Sequence, residues 1–441
     1  MICIGNGILI TQNRQEPFIP NGCVAVDGNR IADFGETSLL REKYPDAEFY
    51  DAQGKIIMPG MINTHGHIYS ALARGMILAD AKPSHSFADI LKNLWWRVDR
   101  SLSLPEISMS AYTTYIDCIK NGVTTFFDHH ASAGRVADSL FTIAEAAKAL
   151  GIRTSLCYEV SDRDGEAIAE EGIRENAAFI EYANKQNSDM IKGLFGLHAS
   201  FTLSDSTLEK CVKAADGAGF HVHVAEGIED LNDSIEKYGK RVVERLWEKK
   251  ILGDRSIAVH CIHIDENEME ILRESDTIVV HNPESNMGNA VGYSAAVRML
   301  QKGILVGLGT DGYTTDMLES LKVANILHKH QLADPNAAWA EAPRMLFQNN
   351  AAICSRFFGS PLGIIGKNAL ADIIVVDYDA PTPVTAQNYS SHILFGLMGR
   401  NVVSTMIDGR FVMKDRELLS ADEAKIYAES RSVAQKFWER V

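Results

Sequence analysis

The feature that most constrains this chain is a rhythm in its middle. Short runs rich in β-branched residues alternate with longer amphipathic segments, the pattern of βα units feeding a parallel sheet. Eight such runs occur, at residues 55–63, 123–127, 153–159, 192–198, 219–225, 256–261, 277–281 and 305–310. Helical patterns lie between them, as at 136–150, 208–218, 235–249 and 295–301. Eight strands, each followed by a helix, over about 285 residues predict an α/β chain built on a (β/α)8 TIM barrel. Both ends read as β-rich: short strands are expected at 2–10, 23–26, 30–34, 371–377 and 402–412. Asn21-Gly22, Asp27-Gly28 and Asp408-Gly409 are set there as tight turns.

Composition removes several function classes. With 46% hydrophobic and 23% charged residues, the 441-residue chain buries a large core. No apolar run approaches the roughly 18–20 residues of a membrane span. Residues 1–10 hold no Lys or Arg, so no secretory signal is expected. The net charge of −15 repels phosphate backbones and anionic membranes, which argues against nucleic-acid polymers and membranes as partners. A small nucleobase remains compatible with it. The seven cysteines are odd in number and lack any C-x-x-C pair, so a reducing cytoplasm is the expected compartment.

In a barrel of this kind the chemistry sits at the carboxyl ends of the strands. Nine of the fourteen histidines fall at or just past those ends: His65, His67, His129, His130, His198, His223, His260, His263 and His281. His65 and His67, two apart on a strand, share a face and aim at one point, as a divalent cation requires. His221 and His223 likewise share a face; His223 lies nearer the barrel mouth and is the expected ligand, with His221 a neighbour or a packed core residue. Asp311, after the apolar run 306–310, completes the expected metal set. Glu226, three residues beyond His223, is placed to reach a substrate on the metal. Trp96 and Arg97, with Trp95, follow the first strand's loop and are candidates to stack on or grip a substrate. His129 and His130 after the second strand are candidate substrate contacts, with Asp128 orienting them.

These motifs, His65-Gly66-His67, His223-x-x-Glu226, His281-Asn282-Pro283-x-Ser285-Asn286 and Gly309-Thr310-Asp311-Gly312, resemble the amidohydrolase superfamily. The resemblance is to its branch of cytosine, guanine, 8-oxoguanine and S-adenosylhomocysteine deaminases and triazine chlorohydrolases. It is nearest to the SsnA-type aminohydrolases, through Asn93-Leu94-Trp95-Trp96-Arg97 and Phe126-Phe127-Asp128-His129-His130-Ala131-Ser132. It implies one divalent metal ion per subunit, zinc or alternatively iron, and a small composite β-sandwich domain formed by both termini. That domain is expected over residues 1–57 and 360–441, and the barrel over 58–359. It also implies a homo-oligomer, as a dimer, and gives His198 a substrate-facing place. The fourth strand ends Gly196-Leu197-His198-Ala199-Ser200, without the bridging lysine of two-metal members.

The expected function is metal-dependent hydrolysis of C–N bonds, as hydrolytic deamination of a nucleobase-like heterocycle. Metal-activated water attacks the ring carbon, Asp311 takes its proton, and Glu226 protonates the adjacent ring nitrogen. His260 orients the hydroxide or completes the metal shell, and His281 stabilises developing negative charge or positions the ring. Two alternatives are ring-opening hydrolysis of a cyclic amide or ureide, and a non-catalytic scaffold.

Overall fold

The computed structural model describes residues 1–78, 80 and 82–441. β1 (Ile2–Ile10), β2 (Phe18–Asp27) and β3 (Arg30–Glu36) form an antiparallel meander, and β4 (Glu48–Asp51) and β5 (Ile56–Pro59) run parallel to β1. The barrel follows: β6 (Met61–Gly66), β7 (Val123–His130), β8 (Arg153–Tyr158), β9 (Ile191–Gly193), β10 (Phe195–Ala199), β11 (Phe220–Val224), β12 (Ile257–His260), β13 (Ile278–His281) and β14 (Val306–Leu308). All barrel pairings are parallel. β9 and β10 are one barrel stave broken at Leu194, the first half pairing with β8 and the second with β11. Bridges Gly66–Asp311 and Val160–Leu197 close the ring at its two seams.

The C-terminal strands β15 (Ile373–Val376), β16 (Val402–Ile407), β17 (Arg410–Lys414) and β18 (Glu417–Leu418) return to the first sheet. β15 pairs antiparallel with β5, giving nine strands drawn from both ends of the chain. This sheet curls over a core of its own, in which Ile4, Val24 and Ile31 meet Ile373 and Met406. The β2–β3 and β16–β17 turns meet, with Asn29 Nδ2 donating to Asp408 Oδ1 at 3.0 Å. The helix Glu423–Trp438 leaves that sheet and lies on the barrel, where Tyr427 Oη donates to Asp117 at 2.9 Å and Trp438 Nε1 to Leu72 O at 2.7 Å.

Two sequence expectations are corrected here. The run 55–63 is two strands, because the chain changes sheets at Gly60. Gly60 N–H donates to Asp372 O in the outer sheet, and the next amide, Met61, to Gly122 O beside the barrel. A Cβ at Gly60 would sit 2.2 Å from Thr124 Cγ2, so only glycine permits that crossing. The expected helix 235–249 is two helices, Ile228–Tyr238 and Val242–Glu248, broken at Gly239.

One buried ion pair ties the two parts together. Arg153, at the start of β8, is fully buried and donates to both Asp372 oxygens, Nη2 to Oδ1 at 2.8 Å and Nε to Oδ2 at 3.4 Å. Asp372 also accepts from the Asp408 amide at 2.9 Å. Removing one partner leaves an uncompensated buried charge. Asp372→Ala is therefore expected to destabilise the protein by about 3–5 kcal/mol in denaturant unfolding. A change below about 1 kcal/mol would refute the tie.

Candidate active site

The barrel brings most of the strand-end residues to one point. His65 in β6 and His67, the extended residue just past it, have ring centroids 4.8 Å apart, and the His223 ring from β11 stands 5.2 Å from each. One ring nitrogen from each of the three lies within 4.8 Å of the others. The imidazoles of His65 and His67 are held from behind. His65 Nδ1 shares a hydrogen bond of 3.0 Å with His221 Nε2, and His67 Nδ1–H donates to the His129 carbonyl at 2.5 Å. That fixes the opposite nitrogen of each ring toward the centre. His65 Nε2 is buried there with no hydrogen-bond partner among the described residues. The cluster is able to hold one metal ion.

Asp311 faces the cluster from beyond β14. Its Oδ1 lies 3.2 Å from His67 Nε2 and accepts from the Gly312 amide, while Oδ2 accepts from the Ser285 hydroxyl at 2.6 Å. His260 joins this carboxylate to Glu226: its Nε2 lies 3.4 Å from Asp311 Oδ2 and 3.4 Å from Glu226 Oε2. The other nitrogen, Nδ1, bonds Asn286 Oδ1 at 2.8 Å, which fixes the ring. Asp230 sets the Glu226 loop by accepting from the Ala225 amide (2.9 Å) and the Phe201 amide (2.8 Å). Ala225, His260, Cys261 and Asp311 all have positive φ, between 46° and 70°. Non-glycine residues in the left-handed region at three strand ends are stored strain, of the kind that gathers at functional sites.

The electrostatics divide the two acids. Burial, then the charge of Asp311, pushes the Glu226 carboxyl well above the usual carboxylate range. Burial opposes ionisation of Asp311 too, but His67, His260 and the Ser285 hydroxyl hold it below that range. Two neighbouring carboxyls with opposed environments suit a proton donor and a proton acceptor. Burial and neighbouring rings lower His65, His223 and His260, keeping them as neutral imidazoles with free lone pairs. Burial acts on His67 in the same direction, but Asp311 raises it to about 9.

A cavity opens above this cluster, lined by His67, His198, His223, Glu226 and Asp311. His198 Nδ1 bonds Thr202 Oγ1 at 2.7 Å and stands 5.7 Å from the His223 ring. Other expected contacts lie elsewhere. Arg97 is engaged by Asp80 at 2.9 Å and by the Val441 carbonyl. Trp96 packs under the Arg163 guanidinium at 5.2 Å, and its neighbour Trp95 lines the cavity instead. His130 bonds Ser132 Oγ at 2.9 Å, and His129 is fully buried with its ring 4.5 Å from that of His223. Neither lines the cavity, and Asp128 orients neither ring; its Oδ1 accepts from the Ile68 amide at 2.8 Å. His281 is fully buried against His328, with centroids 5.0 Å apart.

Glu159 is the residue that sequence reasoning passed over. It closes the run 153–159, lines the cavity, and lies 3.1 Å from His129 Nδ1 and 3.9 Å from His223 Nδ1. Burial alone would raise its carboxyl, yet His198, His129 and His67 bring it down to about 2. A strand-end acid facing histidines of three other strands was its only signal.

The sequence profile described as "Amidohydrolase family" matches residues 56–412. The chain belongs to the amidohydrolase family. This amidohydrolase is thus a hydrolase acting on carbon–nitrogen bonds. It is 30% identical to a 5′-deoxyadenosine deaminase of Methanosarcina mazei, over all of this chain and 99% of that protein. It is 33% identical to a 5-methylthioadenosine/S-adenosylhomocysteine deaminase of Thermococcus sibiricus, covering 93% of this chain and 94% of that one. An adenosine deaminase from Xanthomonas campestris, crystallised with bound zinc, superposes with a TM-score of 0.88 at 23% identity, covering 100% and 99% of the two chains. Atrazine chlorohydrolase from Arthrobacter aurescens, complexed with zinc, gives 0.81 at 22% identity, covering 98% of this amidohydrolase and 100% of that chain. At these identities the two structures establish a shared fold.

Proposed function

We propose that the protein hydrolytically deaminates an adenine-bearing nucleoside, with zinc held by His65, His67, His223 and Asp311. The observation that carries this is the meeting, at one point, of a histidine cluster able to hold a metal ion with two acids of opposed character, Glu226 and Asp311. The substrate class follows the names of the relatives above. The orphaned, buried Nε2 of His65 and the two rings held from behind fit a metal. When bound, the ion makes hydroxide available near neutral pH by lowering the pKa of water.

The chain's own groups then manage the protons. Asp311 takes a proton from the attacking water as its oxygen bonds to the ring carbon, and Glu226 gives one to the adjacent ring nitrogen. Asp311 next passes its proton to the exocyclic amine, which leaves as ammonia. The new hydroxyl returns a proton to Glu226 as the carbonyl forms, restoring both acids. His260, between them, holds the nucleophile in line, and His198 faces the ring. Arg97, Trp96, His129, His130 and His281 contact no part of the cavity and carry no step in this assignment.

The test is ammonia release from adenosine, 5′-deoxyadenosine, guanine, cytosine and hydantoin by the zinc-loaded enzyme. Ammonia from the adenine nucleosides is expected. Ring opening of hydantoin without ammonia from any other compound would replace this reading with cyclic-amide hydrolysis.

A cytoplasmic homodimer is part of the same proposal. All seven cysteines are free and buried, and no described helix is long and apolar enough to cross a membrane. Trp339 and Phe395, exposed with ring centroids 5.6 Å apart, are apolar surface for a second copy to cover. Light scattering at a single-chain mass would refute the dimer.

A further inference from the structure

We infer that a second passage reaches the His67–Asp311 edge of this site from the side, and that it carries water inward and ammonia outward while the nucleoside occupies the barrel mouth. The inference rests on the deaminase reading and adds a route to it. Besides the cavity above the cluster, the described residues enclose a separate one of about 150 Å³, room for several waters. Five residues line both: His67, Ser70, Asp311, Gly312 and Tyr313. The two spaces therefore meet at the His67–Asp311 edge, with these residues as the partition. Glu226 and His198, which serve the ring in the first cavity, take no part in lining the second.

Away from the cluster, the walls of the side cavity are rich in hydroxyls. Thr113 and Thr114 come from the helix Leu104–Lys120, Thr314 and Thr315 from the loop after Asp311, and Ser430 from the helix Glu423–Trp438. A hydroxyl both donates and accepts, so such a wall suits water and ammonia alike. At Arg74, Asp117 and Tyr313 the side cavity borders an open groove of about 720 Å³. The ion pair there, Arg74 Nη1 to Asp117 Oδ2 at 3.3 Å, has its arginine side chain 74% exposed and is held weakly in water. Glu284 and Glu319 join Asp117 around the groove, with Arg74 the one Lys or Arg among its described residues. Ammonia that takes a proton from solvent becomes a cation, which this acidic groove draws outward.

Tyr313 stands at the junction of all three spaces. It is half exposed, and a Cβ on Gly288 would lie 1.8 Å from its hydroxyl, so glycine at 288 is what lets the ring rest there. The chemistry calls for a route at this point. Each turnover takes in one water and gives off one ammonia, and Asp311 handles both in the proposed sequence. A base lying against Glu226 covers the mouth side of that carboxylate. The side cavity borders the same carboxylate without using the wall at Glu226 and His198, so ammonia need not wait for the nucleoside to leave.

The test uses the zinc-loaded enzyme. All seven native cysteines are buried, so the wild type should stay unlabelled by methyl methanethiosulfonate. Ser430→Cys, in the passage wall, should react; an unreactive thiol would mean a sealed cavity and overturn the inference. Ser430→Trp fills the passage and leaves every metal-binding and mouth residue in place. It is expected to lower kcat for adenosine about tenfold or more, with KM and zinc content within about twofold of wild type, because release steps set kcat in many enzymes. Ser430→Ala keeps the passage open and should match the wild type. A zinc-loaded Ser430→Trp enzyme with kcat within about twofold of wild type would overturn the inference. A high-resolution crystal structure reads the route without turnover: a file of hydrogen-bonded waters from Asp311 to the groove is expected, and a dry cavity would refute the passage. If that file is present and Ser430→Cys reacts while no nucleoside releases ammonia, the deaminase reading fails and the passage stands.

Discussion

Replacing Glu226 with Gln is expected to lower kcat by about 10²–10⁴-fold while metal content stays at the wild-type level. The exchange is isosteric at a site where the side chain is buried with its Oε2 3.4 Å from His260 Nε2. Gln retains the shape and a hydrogen-bond donor. It cannot give up a proton and take one back, which the proposed sequence asks of this residue once in every turnover. The raised carboxyl supports that role, since burial and the charge of Asp311 keep it protonated where an ordinary glutamate is ionised. The readout separates chemistry from architecture: kcat from ammonia release, metal by elemental analysis, and binding by calorimetry. A kcat within about fivefold of wild type would remove Glu226 from the proton path.

Replacing His65 with Ala is expected to abolish stoichiometric metal binding and, with it, activity. His65 is fully buried, and its Nε2 has no hydrogen-bond partner among the described residues. The substitution also strips His221 Nε2 of its 3.0 Å partner, a buried loss that costs about 1–3 kcal/mol of stability. Loss of metal through unfolding must therefore be separated from loss of a ligand. His221→Asn provides the control: it alters the hydrogen bond behind His65 and removes none of the cluster's three imidazoles, and such supporting residues are worth about 10–100-fold in metal affinity. Folded His65→Ala protein that still carries one metal ion per chain would refute the ligand assignment.

The barrel was legible because hydrophobic periodicity is a local property. A strand buried on both faces reads as a near-continuous run rich in β-branched residues, as Ile278-Val279-Val280 of β13 and Val123-Thr124-Thr125 of β7 do wherever they are read. The His65/His67 pair was legible for the same reason, since a spacing of two on a strand fixes a shared face. What failed was what depends on a partner distant in sequence. Gly60 looks like one more residue in an apolar run until Asp372 and Gly122 draw the amides on either side of it into different sheets. Trp95 and Trp96 are neighbours of one type, and the choice between them is a helix rotation set by Arg163 and by the cavity wall. Glu159 carries no motif; its meaning comes from histidines 30, 39 and 92 positions away.

Period within single segments was enough for the barrel rhythm and the histidine-bearing strand ends, and the family resemblance gave the missing lysine at Gly196–Ser200 its meaning. The assembled fold was needed to set which acid is pushed toward its protonated form and which aromatic lines the cavity. Those are properties of the space between strands, where burial and charges from segments far apart in the chain act together on one group.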